Sequence, residues 1–312
     1  MLKMFQAQIN PGGTPEFWNA NWEMVEACDE VLDDAACENS ALLPLLMQKA
    51  RTDRLFLEGG CGPGQWVRYF HERGYRVTGI DFAPHAVARL RRLLPNADVR
   101  LGNIQQLPFA DGEVHVYFSG GVVEHDELGP EAALREACRV VSRQGWFLCS
   151  VPDVSLLRDF LYRREFTERL DMSPPLVVKR VESTSIETPP AGMHFFQYLF
   201  DKAEFTTLLE NAGFEVVETF GYSLCWGVME IPGMARVVHR ALRRSKMPRG
   251  EATDKAVSRS FGGQANRTKN LLKRALLSED RTLPVVGPII HLATERLSNL
   301  RMYVARPRAN VV

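Results

Sequence analysis

The sequence predicts a doubly wound α/β fold, in which a mostly parallel sheet is covered by helices on both faces. Two observations carry this prediction. Short apolar segments alternate with amphipathic segments of about 10–15 residues, which is the pattern of repeated β–α–β units. The first of these apolar segments ends in a glycine-rich loop at 59–64 that is followed by an amphipathic segment, as expected for a strand, a tight turn and a helix.

Local patterns place seven strands and the helices between them. Pro84 suits the first turn of a helix, Asp201 with Glu204 forms a capping box, and the turn at 111–112 introduces a strand. The predicted strands, in chain order, are 54–58, 75–81, 98–101, 113–118, 145–151, 214–220 and 301–305. The predicted helices include 41–50, 64–73, 84–94, 128–142 and 201–212.

Polar residues gather where these strands end. Glu58, Asp81 and Asn103 follow three successive predicted strands, and 119–121 follows the fourth. Ligands of doubly wound sheets bind beyond the carboxyl ends of the strands, at the topological switch point where the strand order reverses. The sequence therefore predicts a ligand site among these residues.

The sequence predicts the structure of the segments outside this alternation in less detail. Residues 1–40 suggest a loop followed by one or two short helices. Their aromatic residues, Phe17, Trp18 and Trp22, suit either packing against the core or a lid over the ligand. Residues 153–195 form a mixed, proline-containing insertion.

Composition narrows the class of protein. The 312 residues are 45% apolar and 24% charged, enough for a full core, and the formal net charge of zero argues against a dedicated nucleic-acid binder. The six cysteines include no CxxC pair, which is typical of reduced thiols in a cytosolic protein. No signal-peptide core and no run of about 18 apolar residues occurs. We expect a cytoplasmic protein, with peripheral membrane contact left open.

Charge is unevenly distributed along the chain. Residues 234–301 contain 15 Lys or Arg and 5 Asp or Glu. The stretch 227–298 also carries apolar segments flanked by arginine. Three roles fit this pattern: a helical cap over a hydrophobic substrate, a homodimer interface, or a membrane-surface helix.

The chemistry of the glycine-rich loop selects between ligand classes. A dinucleotide fingerprint requires G-x-G-x-x-G, but the sixth position counted from Gly60 is Gln65. The loop reads instead E-x-G-x-G-x-G, with Glu58 at the end of the strand. A carboxylate in that place disfavours a phosphate and favours a cationic ligand.

Four segments resemble the class I S-adenosylmethionine-dependent methyltransferases, in the small-molecule branch that includes ubiquinone-biosynthesis enzymes. They are LEGGCGPG at 57–64, VTGIDFAP at 77–84, GNIQQLPF at 102–109 and GVVEH at 121–125. The resemblance implies a Rossmann-like sheet of seven strands, parallel except for one antiparallel C-terminal strand, with helical insertions. It also implies S-adenosylmethionine as the cofactor.

The resemblance assigns roles to residues of this chain. Glu58 would favour the cationic methionine end, Asp81 would accept hydrogen bonds from the ribose hydroxyls, and Phe82 with Ile104 would flank the adenine. Asn103 stands where the family commonly has aspartate. The full predicted cofactor set is Glu58, Gly59, Gly60, Cys61, Gly62, Gly64, Asp81, Phe82, Asn103, Ile104, Ser119 and Gly120.

Methyl transfer is an in-line displacement, so the main task of such an enzyme is positioning. For an oxygen or nitrogen acceptor, His125 and His194 are the candidate general bases, although support of a loop and aromatic packing are alternative roles for them. No cluster of His, Cys and acidic residues has metal-ligand spacing, so no metal is predicted.

The expected reaction is methyl transfer to O, N or C of a small apolar or aromatic metabolite. The chain reads FSGG at 118–121, without the motif of enzymes that methylate exocyclic amines of DNA. Two alternatives remain open: a non-catalytic S-adenosylmethionine-binding protein, and a nucleic-acid methyltransferase that uses the basic insertion.

The predicted segments are a lid or helical segment at 1–40, a cofactor-binding core at 41–152, a substrate-side insertion at 153–195, further core at 196–226, the basic insertion at 227–298, and a final strand with tail at 299–312.

Overall fold

The structure is a computed structural model that describes residues 1–7, 11–27, 34–38, 40–169, 175–184, 188–234, 279 and 286–308. Most of the basic insertion, namely 235–278 and 280–285, lies outside the described residues. Its three candidate roles as a cap, a dimer interface or a membrane-surface helix therefore stay predictions.

The described elements alternate between helix and strand over most of the chain. In order they are β1 (Leu2–Gln6), α1 (Pro15–Ala27), α2 (Asp34–Glu38), α3 (Leu43–Lys49), β2 (Phe56–Gly59), α4 (Gln65–His71), β3 (Val77–Asp81), α5 (Pro84–Leu93), β4 (Asp98–Leu101), β5 (Val114–Gly120), a short 3-10 turn (Val123–His125), α6 (Glu131–Val140), β6 (Val141–Pro152), α7 (Leu156–Leu161), β7 (Phe166–Arg169), β8 (Leu176–Arg180), β9 (His194–Leu199), α8 (Lys202–Asn211), β10 (Phe214–Tyr222), α9 (Leu224–Met229), α10 (Val286–Leu297) and β11 (Leu300–Pro307).

The main sheet has seven strands in the order β10-β11-β6-β5-β2-β3-β4. Strands β2 to β6 are parallel, whereas β11 runs antiparallel to both β6 and β10. The predicted doubly wound sheet with one antiparallel C-terminal strand is thus confirmed. Its switch point lies between β2 and β5, because β3 and β4 extend the sheet on one side and β6 on the other.

Both faces of this sheet are buried, which explains why its strands are nearly continuous apolar runs. Leu57, Tyr117 and Phe147 pack on one face in a cluster that includes residues of α6 and α8. Phe56 and Phe118, each one position away along its strand, pack on the opposite face with residues of α4 and α5. Because successive side chains point to opposite faces, each of these strands contributes to two hydrophobic clusters.

The capping box predicted for the helix after 201 is present in α8. The Glu204 N–H donates to Asp201 Oδ1 at 2.9 Å, and the Asp201 N–H donates to Glu204 Oε2 at 3.1 Å. Together they satisfy two N–H groups that a helix N-terminus leaves without partners inside the helix.

A second, four-stranded antiparallel sheet was not predicted. Its order is β7-β8-β1-β9, so the N-terminal strand lies between two strands from the insertion after β6. The sequence suggests a loop for 2–6 and no strands for 166–199. The short strand β1 pairs with residues 170 or more positions away, and no local sequence pattern predicts this pairing.

Candidate active site

A cavity of about 720 Å³ opens at the carboxyl ends of the parallel strands and spans the switch point. Glu58 of β2 and Asp81 of β3 line one side, which we call the donor half. Ser150 of β6, Tyr222 of β10 and Leu300 of β11 line the other, which we call the acceptor half. His125 follows β5, the strand between the two halves.

The glycine-rich loop after β2 forms part of the cavity wall. Gly60 and Gly62 have φ of +70° and +48°, a left-handed region in which other residues are strained. A Cβ on Gly60 would lie 2.5 Å from Val122, and one on Gly62 would lie 2.7 Å from the Trp22 ring. Since Val122 and Trp22 line the cavity as well, the two glycines let three segments of chain meet there.

Glu58 brings a buried carboxyl group to the donor half. Its side chain is nearly fully buried, and Oε2 accepts a hydrogen bond from the Val67 N–H at 3.0 Å. Burial raises the pKa of Glu58 to about 8, which this hydrogen bond only partly opposes. The carboxyl is therefore largely protonated at pH 7, and a cation beside it would favour the ionised form.

Asp81 ties the loop after β2 to the loop after β3. Oδ2 accepts from the Gly62 N–H at 2.7 Å and Oδ1 from the Ala83 N–H at 2.8 Å. Burial raises the pKa of Asp81 even though both hydrogen bonds act in the opposite direction. Each carboxylate oxygen has a second lone pair, so Asp81 can also accept from ligand hydroxyl groups.

His125 lines the cavity and has one ring nitrogen that can act as a base. The carbonyl of Phe196 in β9 lies 2.8 Å from Nδ1, and because a carbonyl only accepts, Nδ1 carries the hydrogen and Nε2 the lone pair. The ring packs edge-on against Trp18 and Phe196. Burial lowers the pKa of His125 to about 4, which keeps the imidazole neutral at pH 7.

Comparison with known proteins bears on this site. Residues 57–149 match the family described as "Methyltransferase domain". This part of the chain is a class I S-adenosylmethionine-dependent methyltransferase domain. The match contains Glu58, Asp81, Asn103 and His125, so the donor half of the cavity belongs to the methyltransferase domain.

Several curated proteins resemble the methyltransferase domain and its surroundings. A Mycolicibacterium smegmatis protein named "Probable S-adenosylmethionine-dependent methyltransferase/" is 32% identical over 56% of this chain and 57% of its own length. The malonyl-[acyl-carrier protein] O-methyltransferase of Serratia marcescens is 38% identical over 30% of this chain and 36% of its own. The demethylmenaquinone methyltransferase of Chlorobaculum parvum is 28% identical over 47% and 59%. The matched regions thus span about a third to three fifths of these relatives.

Among solved structures, a chain of the complex of the Haloferax volcanii Trm112 methyltransferase activator with a methyltransferase superposes with a TM-score of 0.51. The match covers 96% of this chain and 99% of that one, at 13% identity. At such identity the similarity concerns the fold alone.

The structure brings most of the predicted cofactor residues of the methyltransferase domain into the cavity. The lining includes Glu58, Gly60, Cys61, Gly62, Asp81, Phe82, Asn103, Ile104 and Gly120. Asn103 Oδ1 also accepts from the Gln105 N–H at 2.9 Å, which shapes the turn after β4. Gly59, Gly64 and Ser119 do not line the cavity. Gly59 instead abuts the ring of Tyr117, Gly64 abuts Leu90, and the side chain of Ser119 is fully buried.

The two candidate bases are placed differently. His125 lines the cavity, whereas His194 does not. His194 begins β9 and lies opposite Gln6 of β1 in the register of the second sheet. Only His125 is therefore positioned to meet a ligand of the methyltransferase domain.

Several lining residues were missed by sequence reasoning. Ser150 and Tyr222 lie at the carboxyl ends of β6 and β10, so the strand-end rule that selects Glu58 and Asp81 also selects them once it is applied to every strand. Trp66 follows the glycine-rich loop and also lines the cavity.

The described residues contain no group of His, Cys, Asp and Glu that could hold a metal ion. None of the described helices is long and apolar enough to cross a membrane.

Proposed function

We propose that this chain is an enzyme that transfers a methyl group from S-adenosylmethionine to O, N or C of a small apolar or aromatic acceptor. The observation that carries the proposal is the single cavity across the switch point. Two buried carboxyl groups lie in its donor half, and the neutral imidazole of His125 lines the cavity after β5. The names of the relatives are consistent with this reaction class.

The residues of the donor half fit the cofactor. S-adenosylmethionine has a sulfonium and an α-ammonium group, and a buried carboxyl such as Glu58 is a suitable partner for positive charge. Asp81 offers acceptor oxygens for the two ribose hydroxyls. Phe82 and Ile104 would contact the adenine, and Asn103 would bond its edge.

When bound, S-adenosylmethionine supplies a methyl carbon that is activated by its attachment to positive sulfur. The chain's own residues hold the reactants in line, which is the main catalytic effect available to a methyltransferase. Nε2 of His125 can take the proton from an oxygen or nitrogen acceptor. Trp18 and Trp22 of α1 line the cavity and stack on each other, and this apolar wall would reduce the access of water.

Calorimetry of cofactor binding tests the proposal. We expect S-adenosylmethionine and S-adenosylhomocysteine to bind, and Asp81→Ala to weaken binding by about tenfold or more, because charge-assisted hydrogen bonds are lost. Asp81→Asn keeps an acceptor for one backbone N–H and serves as a milder variant. Asp53→Ala, at an exposed acid, is the matched control.

An acceptor screen that follows release of S-adenosylhomocysteine tests turnover. Folded wild-type protein that binds neither cofactor form would contradict the proposal. Cofactor binding without turnover of any neutral, anionic or cationic acceptor would favour a non-catalytic binding protein.

A further inference from the structure

We propose that the acceptor half of the cavity selects an uncharged aromatic molecule that carries a hydroxyl group, and that Ser150 and Tyr222 bind this hydroxyl. The inference rests on the proposed function and names the acceptor class of the same site. It is carried by three features of the acceptor half: its place in the sheet, a facing pair of hydroxyl groups, and the charges of the lining.

The sheet order separates the acceptor half from the cofactor residues. Ser150 lies on β6 opposite Gly120 of β5 and Met302 of β11, and Tyr222 lies opposite Leu300. Strand β5 lies between these residues and β2, which carries Glu58. A molecule held by Ser150 and Tyr222 therefore lies across β5 from the cofactor residues, with His125 on the loop between them.

The hydroxyl of Ser150 is buried in the wall of the acceptor half beside the hydroxyl of Tyr222. The residue is 1% exposed and lines the cavity, yet Oγ makes no well-aligned hydrogen bond. The hydroxyl of Tyr222 faces it. Buried hydroxyl groups are normally paired, because burial without a partner is costly. Two hydroxyls that can each donate and accept form a suitable binding site for a third hydroxyl.

The charges of the lining disfavour an anionic acceptor. The acidic side chains in the cavity wall are Glu58, Asp81 and Asp126, and no Lys or Arg lines the cavity among the residues that the structure describes. His125 adds no positive charge at neutral pH. An aromatic acceptor matches the rings of Trp18, Trp66 and Phe118 in the wall.

Three probes of similar shape separate charge from hydrogen bonding: 2-naphthol, 2-naphthoate and naphthalene. Binding is measured by calorimetry at pH 7 with the full chain saturated in S-adenosylhomocysteine. We expect 2-naphthol to bind about tenfold or more tightly than 2-naphthoate, since the carboxylate loses its hydration beside other acids. We expect it to bind about three- to tenfold more tightly than naphthalene, through the added hydrogen bonds.

Variants locate the hydroxyl site. Ser150→Ala and Tyr222→Phe should each reduce the affinity for 2-naphthol about three- to tenfold and leave the affinity for naphthalene unchanged. Ser155→Ala is the matched control, because that hydroxyl is also buried and without a hydrogen bond but does not line the cavity. It should change neither affinity.

Each other outcome overturns the inference. These outcomes are equal or tighter binding of 2-naphthoate, no effect of either variant on 2-naphthol, or no binding of any probe at millimolar concentration. Binding of S-adenosylhomocysteine is measured first in the same samples. Its absence contradicts the proposed function, whereas its presence together with a preference for 2-naphthoate contradicts this inference alone.

Discussion

At the scale of single residues, burial sets the charge of Glu58 and His125 in opposite ways. It raises the pKa of the carboxyl to about 8 and lowers the pKa of the imidazole to about 4. Both side chains are therefore mainly neutral at pH 7, one as an acid that holds its proton and one as a base that lacks it. The protonation of each side chain can be tested without knowledge of the acceptor.

Binding of S-adenosylmethionine should release a proton from Glu58. A cation beside the carboxyl lowers its pKa below 7, so we expect about one proton to be released per site at pH 7. Calorimetry in buffers with different ionisation enthalpies measures this number. Glu58→Gln should abolish the release and weaken binding, because the amide cannot ionise.

Glu72→Gln is the control for Glu58, since Glu72 is an exposed acid just after α4, which follows the glycine-rich loop. It should leave both the proton release and the affinity unchanged. Proton release that persists in Glu58→Gln would show that another group ionises on binding.

His125 should make the protein less stable in acid. Its pKa is lower in the folded protein than the ordinary 6.5, so between about pH 6.5 and pH 4 the unfolded chain binds a proton that the folded protein does not. The stabilisation is complete above pH 6.5 and is lost as the pH falls through this window. Roughly 2 kcal/mol should disappear between pH 7.5 and pH 5.

Urea unfolding of the wild type and of His125→Asn at these two pH values measures this effect. The asparagine amide can still donate to the Phe196 carbonyl but does not titrate. The variant should therefore lose about 2 kcal/mol less than the wild type over the same interval. An equal loss in both proteins would mean that His125 does not carry this pH dependence.

At the scale of elements, α1 docks across the glycine-rich loop. Trp18 stacks on Trp22 with ring centroids 5.4 Å apart, and its Nε1–H donates to the Gly12 carbonyl at 2.7 Å. The side chain of Asn19 accepts from the His85 N–H at 3.0 Å and connects α1 to the start of α5. The helix thus forms part of one wall of the cavity, and the role of its aromatic residues as a lid stays a prediction.

Gly62→Ala should disturb this wall and weaken binding of S-adenosylmethionine by about tenfold or more, because its Cβ would meet the Trp22 ring at 2.7 Å. Gly74→Ala is the matched control. Gly74 also has a positive φ, of +76°, but no atom lies within 4 Å of its added Cβ.

Both alanines should lower the free energy of unfolding by about 1–2 kcal/mol through backbone strain. Only Gly62→Ala should also reduce the affinity for the cofactor, as measured by calorimetry. Equal affinities of the two variants would show that contact between Trp22 and the loop is unimportant for binding.

At the scale of the whole molecule, buried ion pairs join the main sheet to the insertion after β6. Arg301 of β11 binds Asp153 through two hydrogen bonds of 3.0 and 3.1 Å, and both side chains are almost fully buried. Arg158 of α7 pairs with Glu230 and donates to the Asn299 carbonyl at 2.7 Å. These contacts connect the ends of β6, β11, α7 and α9.

Asp153→Ala should destabilise the protein by about 3 kcal/mol, because the buried Arg301 loses its two-fold hydrogen-bonded partner and retains its contact with the more exposed Glu295. Glu215→Ala breaks the ion pair between Glu215 and Arg306, which lies on the same strand as Arg301. Both side chains of this pair are about half exposed. That variant should cost about 1 kcal/mol or less. Urea unfolding measures the free energy of unfolding of both variants. Similar losses of stability in the two would show that burial does not make the Arg301–Asp153 pair more important.

The sequence by itself determined the main sheet and the donor half of the cavity. Alternation of apolar and amphipathic segments is a local property, and parallel strands place Glu58 and Asp81 at one edge whatever the remaining packing. The glycine spacing around Gly62 is local as well. Chain order and residue type therefore suffice for the methyltransferase domain and for bringing most of the predicted cofactor residues to one cavity.

Only the tertiary structure decided the second sheet and the acceptor half. Strand β1 pairs with β8 and β9, which are 170 or more residues away, and β9 supplies the carbonyl that orients His125. Ser150 and Tyr222 meet because β11 is inserted between β6 and β10 in the sheet. Such neighbours follow from strand pairing between distant segments, which no local period of the sequence records.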